Sequence, residues 1–343
     1  MIASEPPPRR TRRAVVFGAA GFIGAHLCRW LLNAGVEVTA VDNLSRQGAE
    51  SRWAALAVHP EPPWRLRGDV RDFAFVRAAV EGQTEIYHLA AQVAVTRSLA
   101  DPRADFEVNA LGTFNVLEAA RLSGLRPFVL VTSTNKVYGD LAGHPHRPVS
   151  EAQCLDFHSP YGCSKGAADQ YTLDYARVYG LPALVFRMSC IYGPGQLGSE
   201  DQGWVAHFAA QALAGQPIHI YGDGEQQRDL LYIDDLMAAM RLAWSRRQAA
   251  AGQAFNIGGG EANRRSLRQV VAALERRYGR PIELRPGPRR QGDQAFYCSD
   301  CTRFQALTGW RPRISADAGL ERLCTWLEAR DREARLAQRQ RAA

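Results

Sequence analysis

The chain has 343 residues, 46% of them hydrophobic and 22% charged, with a formal net charge of +7. That length fits one large domain or two interlocked ones, and with no run of eighteen apolar residues no membrane span is expected. Much of the positive charge sits at the ends, in Arg9, Arg10, Arg12 and Arg13 and in the final DREARLAQRQRAA; terminal charge runs read as solvated tails, and without an aromatic-basic module nucleic acid is not expected as a partner.

The first thirteen residues, MIASEPPPRRTRR, lack the apolar core of a secretory signal and read as a disordered tail over 1–13. Ala14–Phe17 is then a short apolar strand, followed at once by GAAGFIG and a helical pattern to Asn33. Val36–Val41, Trp64–Arg67 and Glu85–Leu89 read as the next three strands, and a helix is expected near Arg103–Leu122. Phe128–Thr132 is strand five, a long helix runs from about Pro160 to Tyr179, Leu184–Met188 is strand six, and Ala254–Ile257 is strand seven. Alternating strands and helices, with strands that are continuous apolar runs, predict an α/β fold on a doubly wound parallel sheet of the Rossmann type. After Ser189 glycine, proline and polar residues cluster. The expected division is therefore a large unit over 14–192 and 229–258, a smaller interleaved one over 193–228 and 259–330, and a charged tail over 331–343.

The seven cysteines are an odd number at irregular spacing, and Cys298 and Cys301 form a lone C-x-x-C with no second pair. No metal is expected, because zinc wants four ligands. Reduced thiols in a cytoplasmic protein are the expected state. Only two of the 42 basic residues are lysine, Lys136 and Lys165, and both lie inside short polar motifs. Arginine and lysine are not interchangeable at a tight site, so chemistry is expected at both.

Gly18, Gly21 and Gly24 form G-x-x-G-x-x-G between a strand and a helix. Such glycines let the backbone turn sharply and approach a pyrophosphate, which rests on the helix N-terminus. Asp42, eighteen residues past Gly24 at the end of strand two, can accept from both ribose hydroxyls and would repel a 2′-phosphate. NAD is therefore expected rather than NADP, with Arg46 a mild argument the other way. Asp69 and Val70 suit the adenine edge, and Leu89, Ala90 and Ala91 let the backbone pass close to the cofactor. Phe22, Ile23, Asn43, Ser45, Arg46, Asn109, Thr132, Ser133 and Met188 complete the expected cofactor contacts, with Tyr161 and Lys165.

Tyr161 and Lys165, at i and i+4, share one helical face. An ammonium beside the phenol, together with a positive nicotinamide ring, favours the phenolate. Tyr161 is thus the expected base for a substrate hydroxyl, Lys165 a partner of the nicotinamide ribose, and Thr134 at the end of strand five the third catalytic residue.

Taken together, these residues resemble the extended short-chain dehydrogenase/reductase family of nucleotide-sugar epimerases and dehydratases, over roughly residues 14–328. The resemblance implies a nucleoside diphosphate sugar as substrate, a homodimer built on the helices near 103–122 and 160–179, and a diphosphate gripped by Arg228 and Arg290. Its 4,6-dehydratases carry an Asp-Glu pair after the catalytic threonine, where Asn135 and Lys136 stand here. Oxidation and re-reduction without elimination is therefore expected. DNLSRQGAE (42–50), STNKVYGDL (133–141), LDFHSPYGCSKGAADQYTLDYAR (155–177) and DQGWV (201–205) are similar to the subfamily of CDP-paratose (CDP-tyvelose) 2-epimerases. That implies an epimerisation at sugar C2 through a transient keto-sugar. A UDP-sugar 4-epimerase, and a non-catalytic NAD- or RNA-binding protein, remain open as alternatives. Gln92, Thr96, Asn135, Lys136, His158, Cys190, Gln202 and Trp204 are expected to line the substrate pocket. Lys136 either bonds a ligand oxygen or braces its loop, His158 either contacts the sugar or is structural, and Trp204 either stacks on the base or packs between domains.

Overall fold

The computed structural model describes residues 12–290 and 292–342. In chain order the first half runs β1 (Arg13–Phe17), α1 (Phe22–Asn33), β2 (Glu37–Asp42), α2 (Ala49–Ala57), β3 (Trp64–Arg67), α3 (Phe73–Val80), β4 (Glu85–His88), α4 (Val95–Ala100), α5 (Pro102–Phe106), α6 (Gly112–Leu122), β5 (Phe128–Thr134) and α7 (Ser159–Tyr179). There follow β6 (Ala183–Met188), β7 (Cys190–Tyr192), α8 (Trp204–Ala214), β8 (Ile218–Tyr221), β9 (Gln227–Tyr232), α9 (Ile233–Ser245), α10 (Arg247–Ala250), β10 (Ala254–Ile257), β11 (Arg264–Ser266), α11 (Leu267–Tyr278), β12 (Leu284–Gly287), β13 (Phe296–Tyr297), α12 (Thr302–Thr308) and α13 (Ala316–Ala342).

Seven parallel strands form the main sheet in the order β10-β6-β5-β4-β1-β2-β3. The chain winds outward in both directions from β1, so the carboxyl ends of β1 and β4 flank a switch point where α/β sheets bind ligands. β5 is buried along its whole length. One core, containing Leu27, Leu31, Leu130 and Phe186, lies on one face. A second, containing Val116, Val129 and Leu181, lies on the other.

Three expectations are corrected. Arg12 and Arg13 belong to the fold rather than to a tail: Arg13 opens β1, and Arg12 is ion-paired with buried Glu85 at 2.6 Å; residues 1–11 lie outside the described residues. The segment from 331, expected as a charged tail, continues α13 to Ala342. The smaller unit begins before residue 193 and does not end at 228, because β9 pairs with β7, β11 and β13 rather than with the main sheet. The return to the main sheet begins with α9, which packs on α1.

The helix expected over 103–122 is interrupted. A π-helical turn, Glu107–Leu111, separates α5 from α6. Such turns shift the side chains that follow and recur at functional sites.

α7 carries the decisive residues. Pro160 stands in its first turn, and Gly180, left-handed at φ 63°, stops it. Tyr161, Lys165 and Asp169 recur every four residues on its buried face. Asp169 takes a bidentate pair from Arg187 of β6, at 2.8 and 2.9 Å, with both side chains buried. Leaving either charge there unpaired would cost about 3–5 kcal/mol. This pair fixes the depth and rotation of α7 against the sheet.

Candidate active site

A cleft of about 690 Å³ runs from the glycine loop, past the ends of β4, β5 and β6, to β8 and the turn before α8. At its dinucleotide end, Gly18 has φ +84°, and a Cβ there would sit 2.7 Å from the Ala90 nitrogen. A Cβ on Gly24 would sit 2.0 Å from the Gly18 carbonyl oxygen. Both positions therefore demand glycine for backbone-to-backbone approach. No acid stands in the first turn of α1, and Gly21 offers no side-chain cap, so the helix leaves its N–H groups and positive dipole end for an anion. Asp42 accepts from the backbone N–H of Ala20 at 2.9 Å and of Leu44 at 2.8 Å. Burial pushes its carboxyl upward and these two donors oppose the shift. A carboxylate has further lone pairs to offer a diol. A glycine cradle, a bare helix end and a diol acceptor fit a dinucleotide.

Asn43 donates to Asp69 at 3.0 Å, and the Arg71 guanidinium pulls the Asp69 carboxyl down to about 2. Arg52, which the sequence did not single out, donates to the carbonyls of Ala20 at 2.7 Å and Gln47 at 3.3 Å, tying the glycine loop to the segment after β2. Phe22, Ile23, Ser45, Arg46, Val70, Leu89, Ala90, Ala91, Thr132, Ser133 and Met188 all line the cleft.

Asn109 does not. It is fully buried, and its amide accepts from the Gln92 N–H at 2.9 Å while donating to the Gln92 carbonyl at 3.0 Å and to Ser164 at 3.1 Å. The π-helical turn aims it at the backbone after β4, so it positions that loop and leaves no atom for a cofactor. His158 takes the structural alternative. It turns to Asp156 at 3.1 Å and Asp140 at 3.8 Å, outside the cleft.

Tyr161, Lys165 and Thr134 do converge. The Lys165 ammonium donates to the Thr132 carbonyl at 2.5 Å. Burial pushes the Tyr161 phenol up to about 12, with the Thr134 hydroxyl and, more weakly, Arg46 opposing. Burial also pulls the Lys165 ammonium down to about 8, against Asp169 and Asp105. In the protein alone, desolvation outweighs the Thr134 hydroxyl and Arg46 and keeps the proton on the phenol.

At the far end most polar groups are tied to one another. Gln92 uses its amide on Ala94 and Asp105. Asn135 donates to Gln294 at 3.1 Å. Lys136 donates to the Gly292 carbonyl at 3.0 Å and stands 3.7 Å from Asp293, so it braces the loop. Arg228 also holds Asp293, at 2.6 Å, and the Gln294 carbonyl at 2.5 Å. Trp204 gives its indole N–H to the Cys190 sulfur and packs edge-on against Phe208, which favours packing over stacking. Burial pushes the Cys190 thiol up, away from nucleophilic use. Thr96, Gln202 and Arg290 line the cleft as expected. Sequence reasoning missed Asp293 and Gln294, and also Glu200, His219 and Tyr221; the period-two pattern of Ile218–Tyr221, with its isoleucines buried, could have placed the last two outward.

Fold and site together define a dinucleotide-dependent enzyme of the doubly wound α/β class. The profile of the NAD dependent epimerase/dehydratase family matches residues 14–258, and the chain belongs to that family. It is 36% identical to the CDP-paratose 2-epimerase of Salmonella typhi, over 92% of this chain and 98% of that protein. It is equally 36% identical to the UDP-glucose 4-epimerase of Mycolicibacterium smegmatis, over 90% and 96%. Among solved structures, the UDP-glucose 4-epimerase of Thermus thermophilus in complex with NAD superposes with a TM-score of 0.82 at 33% identity, over 92% of this chain and 99% of that one. NAD is the cofactor of the family, and among the described residues no helix is long and apolar enough to cross a membrane.

Two outcomes are expected. Gly18→Ala should yield folded protein that no longer carries NAD through purification, read by the nucleotide released on acid extraction; a full complement of NAD would remove the glycine loop from the cofactor site. The second concerns pH. Lys165 has its ammonium at about 8 when folded against an ordinary 10.5. Between those values the unfolded chain binds more protons, so stability rises with pH through that window, and the cost is complete below it. Lys165→Met should flatten that rise in urea unfolding, and parallel profiles for parent and variant would show the ammonium to be solvated.

Proposed function

We propose that the chain is an NAD-dependent epimerase of a nucleoside diphosphate sugar, acting at C2 of a CDP-sugar of the CDP-paratose to CDP-tyvelose type. The observation that carries this reading is the pair Asn135-Lys136 after Thr134. Elimination of water needs an acid and a base beside the sugar. Here the amide is spent on Gln294 and the ammonium on Gly292.

Gly18, Gly21, Gly24 and Asp42 would hold NAD, which when bound would supply a hydride acceptor and donor and a positive charge. Tyr161 takes the proton of the sugar hydroxyl and later returns it, and Thr134 bonds the same oxygen. Lys165, anchored on Thr132, holds the helix that aims the phenol. An epimerase must let the sugar present both faces. The polar groups tied off at Gln92, Asn135 and Lys136 leave little to fix the sugar. Arg228 and Arg290 are the residues suited to holding the diphosphate, because guanidinium forks match phosphate oxygens. Arg228 then exchanges part of its bond to Asp293. A UDP-sugar 4-epimerase is the second reading, favoured by the equal identity to the Mycolicibacterium enzyme.

Incubation of the purified protein with CDP-, UDP- and dTDP-sugars, followed by proton NMR, separates the two. The expected result is inversion at C2 of a CDP-sugar only, with Tyr161→Phe lowering kcat about 10²–10⁴-fold at unchanged NAD content. Inversion at C4 of a UDP-sugar, or a Tyr161→Phe variant equal to its parent, would refute the proposal.

We also infer that two copies pair through α6 and α7. Phe114 and Tyr171 meet edge-on across these helices at 5.8 Å, yet both remain open to solvent beside Val178 and Tyr179. Contiguous apolar surface of this kind marks an interface. Light scattering should give twice the 37.9 kDa chain mass, falling to one chain in Tyr171→Arg; a monomeric parent would end the idea.

A further inference from the structure

Beyond the arginines the cleft ends on a wall with no role in the reading above. Glu200, in the turn before α8, meets two outward residues of β8. Its Oε1 lies 2.6 Å from His219 Nδ1, and its Oε2 accepts from the Tyr221 hydroxyl at 2.8 Å. These donors hold the Glu200 carboxyl below its ordinary range, so it is ionised at neutral pH. Oε2 also stands 3.9 Å from the Arg290 guanidinium, and each oxygen, with one hydrogen bond accepted, keeps a lone pair. All three side chains line the cleft.

The position of this wall follows from the chain of contacts that leads to it. Lys136, two residues past Thr134, shares Asp293 with Arg228. Asp293 closes a turn by donating its N–H to the Arg290 carbonyl at 3.2 Å. Arg290 in turn donates to the Glu200 carbonyl at 2.6 Å and covers the Tyr221 ring at 3.9 Å. A nucleoside diphosphate sugar with its sugar at Tyr161 and its diphosphate at Arg228 and Arg290 therefore carries its base to Glu200.

The geometry points to Glu200 as the residue that selects the nucleobase, in favour of cytosine. An ionised carboxylate only accepts. Cytosine offers it the exocyclic amino group, whereas uracil and thymine present a carbonyl oxygen at the same ring position, which the carboxylate repels. His219 and Tyr221 keep the carboxylate charged and in place, so they act as positioning residues. This inference rests on the sugar being placed at Tyr161, as proposed above, and it explains how one cleft could refuse UDP-sugars.

Calorimetric titration of CDP, UDP, dTDP and ADP into the NAD-loaded full chain tests it. CDP should bind about tenfold tighter than UDP or dTDP. Glu200→Gln, whose amide can accept or donate, should bring the CDP-to-UDP ratio near one with an unchanged melting temperature. Equal or tighter binding of UDP by the parent, a ratio that survives Glu200→Gln, or tighter binding of ADP than CDP would overturn the assignment. A CDP preference without C2 inversion of any CDP-sugar would sink the proposed reaction and leave Glu200 standing.

Discussion

One polar stripe on a buried helix holds the site together. Tyr161, Lys165 and Asp169 recur at a spacing of four on α7, and Lys165 and Asp169 are anchored to different strands of the main sheet. Asp169 binds Arg187 of β6 and Lys165 binds the Thr132 carbonyl of β5. With its second and third residues so anchored, the first has one place to go, beside Thr134 at the end of β5. The phenol is positioned by two contacts beneath it rather than by the loop around it. The contacts are costly to bury and costlier to break, which makes the depth of α7 a single well-defined value.

The same burial sets the chemistry. A phenol pushed up to about 12 and an ammonium pulled down to about 8 are poorly suited to proton abstraction in the protein alone. In the function proposed above, the positive nicotinamide ring is what would favour the phenolate. At the other end, Lys136 and Arg228 share the single carboxylate of Asp293, which leaves one positive charge uncompensated for an anion.

The main sheet was legible because most of its strands are short apolar runs: Ala254–Ile257 appears as read, and β5 runs two residues longer than expected, while Trp64–Arg67 appears as read although it is exposed along its length. The smaller unit was not, because strands of two to four residues such as β13 and β11 exist through pairing rather than through any periodicity of their own. The π-helical turn was invisible for a related reason, since one extra residue per turn leaves no mark on composition. It is also what turned Asn109 from a cofactor contact into a brace. For His158 spacing left two roles open, because it gives chain position and not side-chain direction. Spacing likewise says nothing of desolvation, which raises the Tyr161 phenol in the protein alone. Glu200 could not be read at all. Its meaning comes from His219 and Tyr221 across the cleft.

The chain's near-exclusive use of arginine has a practical side. Its only two lysines, Lys136 and Lys165, both line the cleft, and both have their ammonium pulled down to about 8. Guanidinium does not react with amine-directed acylating reagents. Apart from the amino terminus, such a reagent finds its targets only in the cleft, where the lowered values leave more of the neutral, nucleophilic amine than an ordinary lysine has. The protein thus carries a built-in labelling handle, and its rate of modification is a gauge of whether the cleft is open or filled.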